Sequence, residues 1–250
     1  ALYRQLGDDF DPRVGFVRRR GVRHVYSTVG LRPVVAWGPI QELNPYVETH
    51  YFGALGGGTE TRESTAGLDA EFRDGATLGV TVTDRFENVR RAFSTGGASV
   101  AAGEYDFREA SVSYGSSGGR ALSGRVTVGG GGYYGGDRLT VGGNVVGRLG
   151  YRAFLNLTAE HNRIELPGQA AVDAAVYSAR GDYFFSTRFV TSGLFRYDEV
   201  SGELVTDLRV NWVHAPLSDL YLVLTERRDT KADLVLERLI TLKVTRNLPF

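Results

Sequence analysis

Apolar and polar residues alternate with period two through most of this chain, and no other feature limits its folding as strongly. Leu204, Leu208, Val210 and Trp212 fall on one face, and Asp207, Arg209 and Asn211 on the other. Leu220, Leu222 and Leu224 alternate with Tyr221, Val223 and Thr225, and Ile240, Leu242 and Val244 with Thr241, Lys243 and Thr245. The same pattern runs through Tyr151–Glu160 and Leu139–Val145. It reads less cleanly at 22–31, 46–55, 65–73, 77–85, 105–114, 122–130, 171–185 and 189–197. A side-chain period of two is that of a strand with unlike faces, so the chain is expected to be all-β and antiparallel. No convincing helical stretch interrupts it, and no linker divides it, so residues 1–250 read as one domain.

Spacing carries the argument further. About thirteen segments recur every roughly eighteen to twenty residues, which suits long hairpin-linked strands. Short turns are expected at 31–33, 73–75, 116–120, 148–151, 186–187 and 215–218. Longer connections alternate with them at 56–60, 89–103, 166–170, 199–203 and 227–237. In outer-membrane barrels the short turns are periplasmic and the long loops extracellular. That rule brings Phe250 out on the periplasmic side and leaves one upward strand that is either missing or lies within Ala1–Leu6. The count then reaches about fourteen, the even parity of a barrel.

A soluble β-sandwich would also alternate, but with shorter strands and large residues throughout its core face. Here the segments reach ten residues, and the apolar face carries many Gly and Ala. Glycine stands at 33 of 250. Aromatic residues (Tyr114, Tyr151, Tyr183, Phe185, Phe189, Tyr197, Trp212) sit near segment ends, where interfacial girdles lie. The opposite face carries both charge signs. Arg180, Asp182, Arg196, Asp207, Arg209 and Lys243 are the candidate lumen-facing residues, and a cross-strand ladder of opposite charges is expected among them. The expected fold is therefore an antiparallel transmembrane β-barrel of the bacterial outer membrane, either whole or part of a larger barrel. Its partners would be outer-membrane lipid and lipopolysaccharide. A final alternating strand ending in Phe250 looks like the signal read by the barrel assembly machinery.

Composition excludes other classes. Lys+Arg and Asp+Glu both number 29, so no basic footprint points to nucleic acid. With no cysteine there is no disulfide framework, thiolate metal site or cysteine nucleophile. His24, His50, His161 and His214 show no metal-ligand spacing, and no nucleophile and orienting partner declare themselves; no cofactor, metal site or enzymatic activity is expected. The glycines at 129–132 and 135–136 lack the Lys-Ser/Thr of a phosphate loop and are read as strand glycines. An acidic loop at Asp198, Glu199 and Glu203, and Arg18-Arg19-Arg20, are read as solvated rims.

The passage Phe10-Asp11-Pro12-Arg13-Val14-Gly15-Phe16-Val17-Arg18-Arg19-Arg20-Gly21 resembles the F-x-P-x-x-G-F-V-x-R segment of an uncharacterised bacterial outer-membrane family. Further similarity lies at 102–105, at 131–136 with Tyr133 and Tyr134, at 162–167, at Asn211-Trp212, at 216–222 and in the closing strand. Members of that family carry an N-terminal domain like carbohydrate-binding module family nine, followed by a long barrel region. The resemblance implies that this chain is the C-terminal part of a longer barrel protein. It implies no catalytic residue.

Three functions follow as expectations. The first is a pore or transport barrel for polar solutes, with weak ion selectivity because the charge signs balance. The second is a structural anchor holding an upstream glycan-binding domain or partner subunits. The third is a barrel enzyme, for which no constellation speaks.

Overall fold

A computed structural model describes residues 1–11 and 19–247. Strands dominate, and none of the described residues is helical. The strands are β1 (Leu2–Leu6), β2 (Val22–Gly30), β3 (Val34–Trp37), β4 (Ile40–Ala54), β5 (Thr59–Phe72) and β6 (Thr77–Val89). There follow β7 (Phe93–Thr95), β8 (Ala98–Val100), β9 (Gly103–Gly115), β10 (Leu122–Tyr133), β11 (Gly136–Leu149) and β12 (Ala153–Glu165). The series ends with β13 (Val172–Ser186), β14 (Phe189–Asp198), β15 (Glu203–Ala215), β16 (Ser218–Asp229) and β17 (Leu234–Thr245).

Fifteen of these form one antiparallel sheet. Fourteen follow chain order from β1 to β17, omitting β3, β7 and β8, and β3 pairs beside β4. The strand sought within Ala1–Leu6 is β1, paired with β2 from Leu2↔Tyr26 to Leu6↔Val22. No pairing joins β1 to β17 among the described residues. Backbone contacts group the chain into two compact units: Ala1–Tyr114, Thr127–Thr140 and Arg163–Val172 form the first, and Gly115–Val126, Val141–Asn162 and Asp173–Phe250 the second.

Two connections differ from the sequence reading. Residues 31–33 are not a tight turn, because the chain continues into β3, which folds back on β4 through Gly38, a residue at φ 54. The long segment 89–103 is not an irregular loop, because it contains the β7–β8 hairpin. The expected contrast of short and long connections also holds only in part. β10 and β11, at the end read as long-looped, are joined by Tyr134-Gly135, whose φ values of 45 and 84 suit the tightest hairpin turn.

Register settles which residues share a face. In the second unit the rows Thr191–Val210–Leu222–Leu242 and Phe189–Trp212–Leu220–Val244 run across β14 to β17 on the apolar face. In the first unit the rows Val29–Val47–Ala66–Val82 and Pro45–Leu68–Val80 run across β2, or β4, to β6. Among the described residues nothing covers these faces. Val29 is 75% exposed, Leu68 45%, Leu242 61% and Val244 63%.

The buried hydrophobic cluster among the described residues is small and lies in the first unit. Val89, Ala98, Val100, Phe107, Tyr133, Ile164 and Leu166 pack together, with Tyr105, Tyr134 and Val172 against them. The β7–β8 hairpin supplies its two most buried members, Ala98 and Val100. Gln169 secures the hairpin by a reciprocal amide pair: its Oε1 accepts from Ser99 N at 2.9 Å and its Nε2 donates to Ser99 O at 2.6 Å.

Candidate functional site

The candidate lumen residues do share a face. In the second unit Arg180 and Asp182 of β13, Arg196 of β14, Asp207 and Arg209 of β15 and Lys243 of β17 all lie opposite the apolar rows. The register does not set opposite charges against each other, however. Arg180 faces Leu194, Arg196 faces Ser178 and Val205, Asp207 faces Leu194 and Thr225, Arg209 faces Ser192 and Val223, and Lys243 faces Tyr221. The expected ladder is therefore not built from these six residues. Arg180 pairs along its own strand with Asp182 at 3.3 Å, and Asp207 accepts from Thr225 Oγ1 at 2.6 Å. Phe250 lies outside the described residues.

A charge ladder of the expected kind occurs instead in the first unit. Arg85 of β6 binds Glu63 of β5 at 2.6 Å and Glu109 of β9 at 3.7 Å, and Arg138 of β11 binds Glu109 at 2.5 Å. The last pair reaches over β10, which lies between β9 and β11. Gly129 and Gly130 of β10 line the same hollow of about 240 Å³ as Arg85, Glu109 and Arg138, so at these two positions β10 puts no side chain between the pair. The glycine run thus has a structural use.

The strongest chemical cluster is also in the first unit, on the polar face of β1, β2, β4 and β5. A cavity of about 710 Å³ is lined by Arg4, Arg19, His24, His50, Thr61 and Glu63, with Leu6, Phe10, Val22 and Phe52 as its apolar wall. Hydrogen bonds fix its polar groups in one direction. Glu48 is a carboxylate, so His50 Nε2 donates to its Oε1 at 3.1 Å. His50 Nδ1 then accepts from His24 Nε2 at 3.2 Å, and His24 Nδ1 accepts from the Arg4 guanidinium at 3.3 Å. The assignment of both tautomers follows from the network. Tyr26 donates to the other Glu48 oxygen at 3.1 Å. The His24 ring, 7% exposed, stacks on Phe52 with centroids 4.1 Å apart. Arg19 lies over Phe52 at 4.6 Å and donates to Thr61 Oγ1 at 2.8 Å.

Sequence reasoning missed this pair of histidines because 26 residues separate them. They meet only because β2 pairs with β4 in the register Tyr26↔His50 and His24↔Phe52, after the β3 excursion. The remaining sequence candidates are engaged elsewhere. His161 bonds Asp173 at 3.3 Å in the open, and Arg20 pairs with Asp11 at 3.1 Å. Arg18 lies outside the described residues. Asp198 accepts from Ser201 N and Oγ, and Glu203 holds Arg227 through both oxygens. Among the described residues no group of three or more His, Asp or Glu side chains is set to hold a metal ion. Set against known protein families, curated proteins and solved structures, the chain matches none.

Proposed function

We propose that this chain is a bacterial outer-membrane β-barrel whose polar face lines a path for polar solutes. The observation that carries the reading is the uncovered apolar face. Val25, Val29, Val47, Leu68, Val80 and Val82 in the first unit, and Leu208, Leu222, Ile240, Leu242 and Val244 in the second, are all more than a third exposed. A face of that extent is an aggregation hazard in water and an ordinary surface in lipid.

Its edges support the same reading. In the second unit the apolar face gives way, beyond Leu224 and Ile240, to Glu226, Arg228 and Arg238. These are ion-paired with one another and with Asp233. Two strands earlier the same register rows still carry Phe195 and Tyr197. In the first unit the Val25–Tyr51 row passes to Arg62 on β5 and returns to an aromatic residue, Phe86, on β6. In the second unit the apolar band thus steps along the strands, as it does when strands cross a bilayer at a tilt.

Closure is the decisive step. Fourteen strands in sequence leave β1 and β17 running in opposite directions, so closing the sheet would pair them antiparallel. β17 offers a long, apolar free edge, which soluble proteins avoid. The test uses the absence of cysteine from the chain. Gln5→Cys is combined in turn with Arg238→Cys, Ile240→Cys or Leu242→Cys, all on the apolar face, and oxidised in detergent micelles. One combination should cross-link at high yield, because a disulfide needs Cα atoms about 4.4–6.8 Å apart. No cross-link in any combination would refute closure. Reconstituted in planar bilayers, the closed barrel should pass a stable current with a reversal potential near zero in a salt gradient. Insertion without current would favour the anchor over the pore.

A further inference from the structure

We propose that the cavity between β1, β2, β4 and β5 is a binding site for an organic anion: a carboxylate or phosphate head on an apolar or planar body. Two guanidinium groups line the cavity, and among the described residues neither has a carboxylate within salt-bridge distance. Residues 12–18 carry no acidic side chain either. The carboxylates nearby are already engaged. Glu63 takes two bonds from Arg85, at 2.6 and 2.9 Å, and Glu48 holds Tyr26 and His50. Tyr26 and His50 are neutral, so Glu48 keeps its charge and offsets one guanidinium from the far end of the chain; the cavity keeps a net positive charge.

Both guanidiniums are held by neutral groups, which position them without neutralising them. Arg4 is held by an imidazole nitrogen at the end of the Glu48–His50–His24 chain, and Arg19 by a hydroxyl and the Phe52 ring. Each fork keeps most of its five N–H donors for a ligand. Guanidinium forks match the two oxygens of a carboxylate or phosphate, and charge-assisted bonds of this type are roughly twice as strong as neutral ones.

Leu6, Phe10, Val22 and Phe52 offer an apolar surface beside the two cations, which a bare inorganic ion would leave unused. The volume, about 710 Å³, is that of a small-molecule site. As a statement about the solute of a pore, the inference rests on the barrel reading; as a binding site, it rests on the first unit alone.

The full chain, folded in detergent micelles at neutral pH, is titrated calorimetrically with benzoate, inorganic phosphate and benzylamine. Benzoate should bind saturably and at least tenfold more tightly than phosphate or benzylamine. The double variant Arg4→Gln/Arg19→Gln should lose at least tenfold in benzoate affinity, and Arg20→Gln, whose side chain is paired with Asp11, should not. If the double variant fails to fold, Arg19→Gln, which leaves the histidine chain intact, serves the same comparison with a loss of several-fold. No saturable benzoate binding, equal binding by the arginine variant, or equal binding of benzylamine would overturn the proposal. Phosphate as tight as benzoate would overturn the apolar body. Benzoate binding without any bilayer current would retain the site and remove only its role in transport.

Discussion

Gly131 shows how single residues govern this sheet. It sits in β10 at φ +147, a conformation that side-chain-bearing residues rarely adopt. A Cβ there would lie 2.2 Å from Arg108 O and 2.8 Å from Glu109 Cα, both backbone atoms that cannot move aside. Gly131→Ala should destabilise the fold by at least about 2 kcal/mol, measured by urea unfolding in lipid vesicles. Gly147 is the control: a Cβ added there would meet nothing within 4 Å, and its φ is not positive. There an alanine should be neutral or stabilising by up to about 1 kcal/mol. Equal effects at the two sites would refute the close-approach argument. The glycines read from sequence as one class therefore divide by what stands opposite them.

At the scale of elements, the β7–β8 hairpin is the least expected part and the best packed. Its apolar residues are few and its strands are three residues each, so period-two counting has almost nothing to detect. It forms because Val100 and Ala98 find Phe107, Tyr133, Ile164 and Leu166, and because Gln169 occupies the backbone groups of Ser99. Tyr134 completes the cluster. Burial, and then its 2.5 Å bond to Glu87, push its phenol above the usual tyrosine range, so the phenol stays a proton donor at any physiological pH. Val100→Asp places an unpaired charge at a position 2% exposed and should cost about 3 kcal/mol locally. Hydrogen exchange should then rise across residues 93–102 while β13 to β17 keep their protection. Unchanged exchange in the hairpin would show that it is not held by this core.

At the scale of the whole molecule, the question is which solvent the apolar face meets. Leu222 lies in the middle of the row Val210–Leu222–Leu242. On the proposed outer-membrane reading, Leu222→Arg should lower folding yield in thin phosphatidylcholine vesicles, since arginine near a bilayer midplane costs about 2–4 kcal/mol. Thr241→Arg, on the polar face of the neighbouring strand, should leave the yield unchanged. If the two variants behave alike, the assignment of faces is wrong.

What the amino-acid sequence determined by itself is the strand character, the division into faces and nearly every strand position. Each follows from a period of two, which is a local property that neighbouring residues carry without reference to the rest of the chain. Leu208, Val210, Leu222 and Leu242 could be assigned to one face and Arg209 and Lys243 to the other on that ground alone. The tertiary structure decided what depends on register. Sliding one strand past another leaves every local period intact yet changes which charges meet. The ladder expected among Arg180, Asp182, Arg196, Asp207, Arg209 and Lys243 therefore did not form, while Glu63, Arg85, Glu109 and Arg138 built one across a glycine gap. For the same reason His24 and His50 stood apart in sequence as two isolated histidines. The β3 turnback sets how far β4 slides along β2, and only that distance brings the two rings into one hydrogen-bonded chain.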